Sequence, residues 1–278
     1  MVRVGSECFS CISRLIEVAS ELSTRNADMR RRVRQDAFRI LEREYNDNVV
    51  PAKLSTHILR ALKAITRNPD PFADVKRREI DFAREASSRM NPPMNLRSLV
   101  EYSAMGNTLD FFKEPESLLK MVDGFPGFAH DDVDEFAGRL TSARKILYLA
   151  DNAGECFFDG PLVACLAKDK EITYVVKDSS AQNDITCDDL EYAGLLNRMG
   201  RVITTGDDAI GIDLATASEE MARMLQSSDL IIAKGMGYYE TLSELPIRDK
   251  ILHLLMAKCV PVASSLNVPI NSYLAIYR

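Results

Sequence analysis

Two rhythms of apolar residues divide the chain. Up to about residue 112 apolar positions recur every three or four residues, as in helices that bury one face. Cys11, Leu15, Val18 and Leu22 make one stripe. Phe38, Leu41 and Tyr45 make a second, in an Arg- and Glu-rich segment that begins at Arg30, and Leu54, Ile58, Leu62 and Ile65 make a third. Residues 75–90 continue the pattern with dense charge, and Pro51, Pro69, Pro71, Pro92 and Pro93 punctuate it. No strand pattern of comparable strength precedes residue 145.

From Lys145 short β-branched runs alternate with helical ones. The pattern predicts strands at 146–150, 172–176, 202–204, 230–233, 251–256 and 273–277, with helices at 156–167, 188–196, 215–226, 239–242 and 260–266 between them. A helix over 131–143 leads into the sheet, and 113–127, with Pro115, Gly124, Pro126 and Gly127, reads as the connection between halves. The expected fold class is therefore α/β: a mainly parallel Rossmann-like sheet flanked by helices, with an N-terminal all-helical domain. The division expected is a helical domain over 1–125 and an α/β domain over 126–278. In such sheets ligands bind beyond the carboxyl ends of the strands.

Three polar motifs fall at those ends. In Leu149-Ala150-Asp151-Asn152-Ala153-Gly154-Glu155, Asp151 and Asn152 leave an apolar strand, Gly154 permits a tight turn, and a helix follows. A carboxylate beside an amide oxygen suits a hard cation such as Mg²⁺ or Mn²⁺, and the helix start suits a phosphate. Helix capping accounts for the same pair equally well. Asn183-Asp184-Ile185-Thr186-Cys187-Asp188-Asp189 follows the second strand and brings Asp184 toward the same crevice. Thr186 and Asp189 have capping-box spacing, which is compatible because Asp184 precedes the cap; Asp178 is a less favoured third ligand. Lys234-Gly235-Met236-Gly237-Tyr238-Tyr239-Glu240-Thr241 follows the fourth strand. Its glycines let backbone N–H groups approach an anion, with charge from Lys234, although an ordinary turn explains them too. Lys258, after the fifth strand, is placed either to neutralise a phosphate oxygen or to sit solvated on the surface.

The net charge of −6 argues against a nucleic-acid surface. No apolar run of about 18 residues marks a membrane span, and residues 1–10 show no signal-peptide core. Six cysteines in 278 residues are too sparse for a disulfide scaffold, so a cytoplasmic setting is expected. Cys8 and Cys11 form one CxxC, for which a structural zinc needs two more ligands, and His57, His130 and His253 show no zinc-like pairing. Met105-Gly106-Asn107-Thr108-Leu109-Asp110 breaks a helical stripe, as a turn or as a segment closing over the site.

Taken in order, these motifs resemble the damage-control metal-dependent phosphatases, a family long catalogued as a domain of unknown function. Asp151-Asn152-Ala153-Gly154-Glu155, Asn183-Asp184-Ile185-Thr186, Lys234 to Glu240 and Lys258-Cys259 carry the resemblance. Gly106-Asn107-Thr108-Leu109-Asp110, Asp70-Pro71 with Lys76, and the early CxxC resemble its prokaryotic branch. The resemblance implies hydrolysis of phosphate esters of small metabolites with a divalent metal, Mn²⁺, Ni²⁺, Co²⁺ or Mg²⁺, held by Asp151, Asn152 and Asp184. It implies substrate contacts from Glu155, from the segment after the fourth strand (Lys234, Gly235, Met236, Gly237, Tyr238, Tyr239 and Glu240) and from Lys258, with Asn107 and Asp110 closing from the helical half. Asp151, Glu155 and Lys258 are the expected catalytic groups; Asp151 suits direct attack and Glu155 base duty, and the sequence leaves the choice between attack and base open. No nucleic acid or membrane partner is expected.

Two rival classes stand beside this reading. One is an S-adenosylmethionine-dependent carboxyl methyltransferase, which the sheet suits, but the first strand ends in Asp-Asn-Ala-Gly-Glu rather than a glycine-rich loop. The other is a non-enzymatic metal-binding protein built around the CxxC, which leaves the ordered acidic motifs unexplained.

Overall fold

The computed structural model describes residues 2–91, 94–108, 125–243 and 245–278. Asp110 and most of the expected connection over 113–127 lie outside the described residues.

Four helices open the chain: α1 (Cys8–Ser23), α2 (Ala27–Glu44), α3 (Pro51–Thr66) and α4 (Ala73–Ser88), followed by α5 (Leu96–Met105). Their starts follow local chemistry. Asn26 caps α2 by accepting from the amides of Asp28 and Met29, and Pro51 opens α3, where its missing N–H costs nothing. The stripes seen in sequence become two small cores. Ile12, Ile16, Leu41, Leu54 and Ile58 form one, and Leu15, Leu59, Leu62 and Phe72 the other. Helices α4 and α5 pack differently, because Ile80, Leu99, Val100 and Ala104 join the core of the sheet itself.

The sheet has seven strands: β1 (Phe128–Asp131), β2 (Lys145–Leu149), β3 (Glu171–Val176), β4 (Arg201–Thr204), β5 (Leu230–Lys234), β6 (Ile251–Ala257) and β7 (Ser272–Tyr277). Their order is β1-β7-β6-β5-β2-β3-β4, and all neighbours are parallel except β6 and β7. Helices α6 (Val133–Leu140), α7 (Cys156–Leu166), α8 (Cys187–Ala193), α9 (Glu219–Ser227), α10 (Gly235–Leu242) and α11 (Val260–Leu266) fill the connections. Every residue of β5 and β6 is buried, as expected of strands covered on both faces. The strand order reverses between β2 and β5, and the crevice at that reversal is where a doubly wound sheet binds ligands.

Two differences from the pattern-based reading have physical causes. A strand, β1, does precede residue 145; its four residues alternate half-buried and exposed at the sheet edge, too short a run to register as a period. The helix that follows it consequently starts at Val133, with Asp131 in the strand. Helix α10 begins at Gly235 instead of 239, so β5 runs straight into it and the glycine-bearing segment is its first turn.

Candidate active site

Beyond β2 the backbone of Asp151-Asn152-Ala153 runs beside Asn183-Asp184-Ile185, the segment that follows β3. The Ile185 amide donates to Asp151 O at 2.8 Å, the Ala153 amide donates to Asn183 O at 2.9 Å, and Asn152 and Asp184 form an isolated antiparallel bridge. Directly opposed residues of such a bridge carry their side chains on one face. Downstream, Thr186 and Asp189 complete the capping box of α8, so the Asp184 segment is anchored at both ends.

The third wall is β5. Gly235 leaves it at φ +75°, and a Cβ built there would lie 1.8 Å from Asp151 Oδ2, so the glycine is what lets the strand end meet the carboxylate. Burial pushes the Asp151 carboxyl well above the usual carboxylate range, helped by the negative charges of Asp184 and Glu155, while Lys258 and Lys177 pull the other way. Burial likewise pushes Asp184 up to about 6, against the pull of Lys177. Lys258 is half-buried after β6, with its backbone N–H donating to Met236 Sδ at 3.3 Å.

A second set of residues lies behind the first. Glu155 is fully buried; its Oε1 accepts from Asn152 Nδ2 at 2.8 Å, and its Oε2 accepts from Asn107 Nδ2 at 2.8 Å and Lys234 Nζ at 2.7 Å. Lys234 also donates to Asp159 Oδ1 at 2.7 Å and to Ser103 O at 3.1 Å. These carboxylates outweigh the burial that would neutralise the Lys234 ammonium and raise its pKa, so it stays charged.

The structure therefore brings Asp151, Asn152, Glu155, Asp184, Gly235 and Lys258 together, with Lys234 and Asn107 behind Glu155. Tyr238 stacks under Lys177, whose ammonium is 4.5 Å from its ring centre. Tyr239 and Glu240 are engaged on other sides of α10, the first through its hydroxyl to Ser265 Oγ at 3.2 Å, the second accepting from the Ala52 amide at 2.9 Å.

Two residues of the site are absent from the motif-based reading. Lys177 is fully buried, 3.5 Å from Asp184 Oδ2 and 3.3 Å from Tyr238 OH, and donates to Gly211 O. Asp159 is fully buried in the first turn of α7. Each was detectable as a charge closing or interrupting an apolar run, since an ionised group in such a run needs a partner inside the protein.

The donor chemistry fits a hard divalent cation. Among the described residues no three His, Cys, Asp or Glu side chains form a metal-holding group; what Asp151, Asn152 and Asp184 would offer a cation is two carboxylates and one amide oxygen. At Asp151 burial first, and then the charges of Asp184 and Glu155, oppose ionisation, and a cation would relieve all three.

The family model for the damage-control phosphatase ARMT1-like domain matches residues 4–274. The chain belongs to this family. It is 34% identical over 276 residues to a protein named damage-control phosphatase PH1575 from Pyrococcus horikoshii, covering 96% of each chain. It is 29% identical over 287 residues to a damage-control phosphatase of Archaeoglobus fulgidus, covering 99% of each. The crystal structure of a P. horikoshii protein of this family superposes with a TM-score of 0.90 at 32% identity, over 100% of this chain and 99% of that one. The likeness to these damage-control phosphatases thus spans the helices and the sheet together. No described helix is long and apolar enough to cross a membrane.

Proposed function

We propose that this chain is a divalent-metal-dependent phosphatase acting on phosphate esters of small metabolites, with Asp151, Asn152 and Asp184 holding the metal. The observation that carries the reading is the meeting of the Asp151 and Asp184 carboxyls at the strand-order reversal, where each is pushed toward its neutral form unless a cation joins them. Membership of a phosphatase-named family supports it.

The metal would supply Lewis-acid polarisation of the phosphoryl group and of its attacking water. The chain's own residues do the rest. Lys258, half-buried and close enough to act on Asp151, supplies positive charge to phosphoryl oxygens as the ester bond breaks. The first-turn amides of α10 lie outside that helix's own ladder, a setting suited to phosphate oxygens. Asp151 presents its carboxylate at the crevice, for attack on phosphorus or to accept a proton from water. Glu155 is assigned a different duty from the proton acceptor that its motif implies: fully buried and held by three donors, it orients Asn152.

The test is phosphate release from a panel of sugar phosphates, nucleotides and phosphorylated cofactor fragments, with Mn²⁺, Ni²⁺, Co²⁺ or Mg²⁺ and with chelator. Turnover is expected only with metal, and Asp151→Ala should abolish it while leaving the circular dichroism spectrum unchanged. No release from any member of the panel with any of the four metals, or undiminished turnover in Asp151→Ala, sinks the reading.

A further inference from the structure

Asp159 sits on α7 one turn beyond Glu155, with no exposed surface. Its Oδ1 accepts from Ser103 Oγ at 2.8 Å, Tyr148 OH at 2.6 Å and Lys234 Nζ at 2.7 Å, and its Oδ2 accepts from Tyr174 OH at 3.0 Å. Those donors come from α5, β2, β3 and β5. Tyr148 and Tyr174 are register partners whose rings stack 5.2 Å apart. An acid in the first turn of a helix is explained by the helix dipole alone. Four donors converging from four elements are not.

The consequence runs toward the crevice. Asp159 shares the Lys234 ammonium with Glu155, and that ammonium holds Glu155 by its Oε2 at 2.7 Å. The other Glu155 oxygen, Oε1, accepts from the Nδ2 end of the Asn152 amide at 2.8 Å. The two ends of a planar amide are opposite edges, so this fixes which way Oδ1 is turned. Asn152 and Asp184 share a face of their bridge, so the fixed oxygen belongs to the same donor set as the Asp184 carboxylate.

We propose that Asp159 is a positioning residue: through Lys234 and Glu155 it locks the Asn152 rotamer that offers its amide oxygen to the divalent metal. This rests on the metal-dependent reading above. Outer partners of metal ligands typically change metal affinity about 10- to 100-fold when altered.

The test uses the metal alone. Mn²⁺ is titrated by calorimetry into the metal-free full chain and into three variants. Asp159→Asn should weaken Mn²⁺ binding about tenfold or more. Tyr174→Phe, a milder change that keeps the Asp159 charge and removes one of its donors, should weaken it about threefold, and decides the matter if Asp159→Asn does not fold. Val163→Ala, which loosens the same helix at a fully buried apolar position outside the network, should lower the thermal midpoint and leave Mn²⁺ affinity unchanged. Parent-like affinity in both network variants overturns the proposal, as does an equal loss of affinity in Val163→Ala. A parent chain that binds no Mn²⁺ sinks the metal reading and this proposal with it. A parent that binds Mn²⁺ but releases no phosphate removes only the phosphatase reading.

Discussion

Gly235 and Asp151 meet across the strand-order reversal so closely that there is no room for a methyl group between them: a Cβ on residue 235 would stand 1.8 Å from Oδ2 and 2.4 Å from the carboxyl carbon. The residue also holds a φ of +75°, which an L side chain adopts at a cost of about 1–2 kcal/mol. Gly235→Ala must therefore displace either the carboxylate or the start of α10. A displacement of about 1 Å at a reacting group costs on the order of a hundredfold in rate. The expected outcome is a loss of metal-dependent phosphate release of that size. Activity within tenfold of the parent would show that Asp151 is free to relocate and that the close approach is incidental.

Glu240 offers a test through pH. Burial pushes its carboxyl from 4.5 up to about 7, and its carboxylate oxygen accepts from the Ala52 amide at the start of α3. A carboxyl whose folded pKa is raised stabilises the fold below its ordinary pKa and loses that contribution as pH rises through the folded value. The window is pH 4.5 to 7, worth ~3 kcal/mol at most. Glu240→Gln stays neutral and keeps the acceptor. It should match the parent near pH 4 and be more stable by up to ~3 kcal/mol at pH 8 in urea unfolding. A variant less stable than the parent at pH 8 would mean that the ionised carboxylate has a favourable partner.

The sheet was legible because its central strands are buried on both faces, so 230–233 stands out as an unbroken apolar run and 251–256 as one interrupted only by His253. Strand β1 was not, because four alternating residues at an edge look like any amphipathic stretch. At the site, Asp151 and Asn152 could be picked out because a polar residue directly after such a strand has few places to go, and Asp184 because it precedes a helix cap in the connection that follows β3. The layer behind them was legible only as separate residues: Asn107, Glu155 and Lys234 lie in the motifs, and Asp159 interrupts an apolar run. Ser103, Asn107, Glu155, Asp159 and Lys234 meet only through packing of α5, α7 and β5, and no spacing along the chain encodes that meeting. Helical geometry also divides a contiguous motif: Gly235 faces Asp151, while Tyr239 and Glu240 are turned to α11 and α3.

His253 gives a pH dependence of opposite sign. It is fully buried on β6 with neither ring nitrogen hydrogen-bonded, edge-on to Tyr239 at 5.2 Å, and burial pushes its pKa from 6.5 down to about 3. Between those values the unfolded chain binds the proton and the folded one does not, so stability falls as pH falls, by ~1.4 kcal/mol per pH unit. His253→Leu removes that slope. Relative to the parent it should gain ~2 kcal/mol at pH 5 beyond whatever difference it shows at pH 8. Glu240 and His253 oppose one another between pH 4.5 and 6.5, so the two variants must be compared singly. An unchanged difference at the two pH values would mean that the folded protein protonates His253 readily.

Lys76 ties the helical half to the Asp184 segment. It is 1% exposed, 2.8 Å from Asp70 Oδ2 and 2.7 Å from Asp189 Oδ2, and the same Asp189 oxygen accepts from the Thr186 amide at 2.9 Å. Removing the ammonium leaves the largely buried Asp189 and the half-buried Asp70 carboxylates without their cation, a loss of up to about 3–5 kcal/mol, the range when a buried pair is broken. It also frees the cap that anchors the segment carrying Asp184. Lys76→Met, which keeps the packing of the aliphatic stem, should therefore lower stability by that amount in urea unfolding. It should also weaken Mn²⁺ binding by about tenfold in calorimetry, the range for loss of an outer support to a metal ligand. Stability lost with Mn²⁺ affinity intact would show that the ion triad holds the two halves together without setting the position of Asp184.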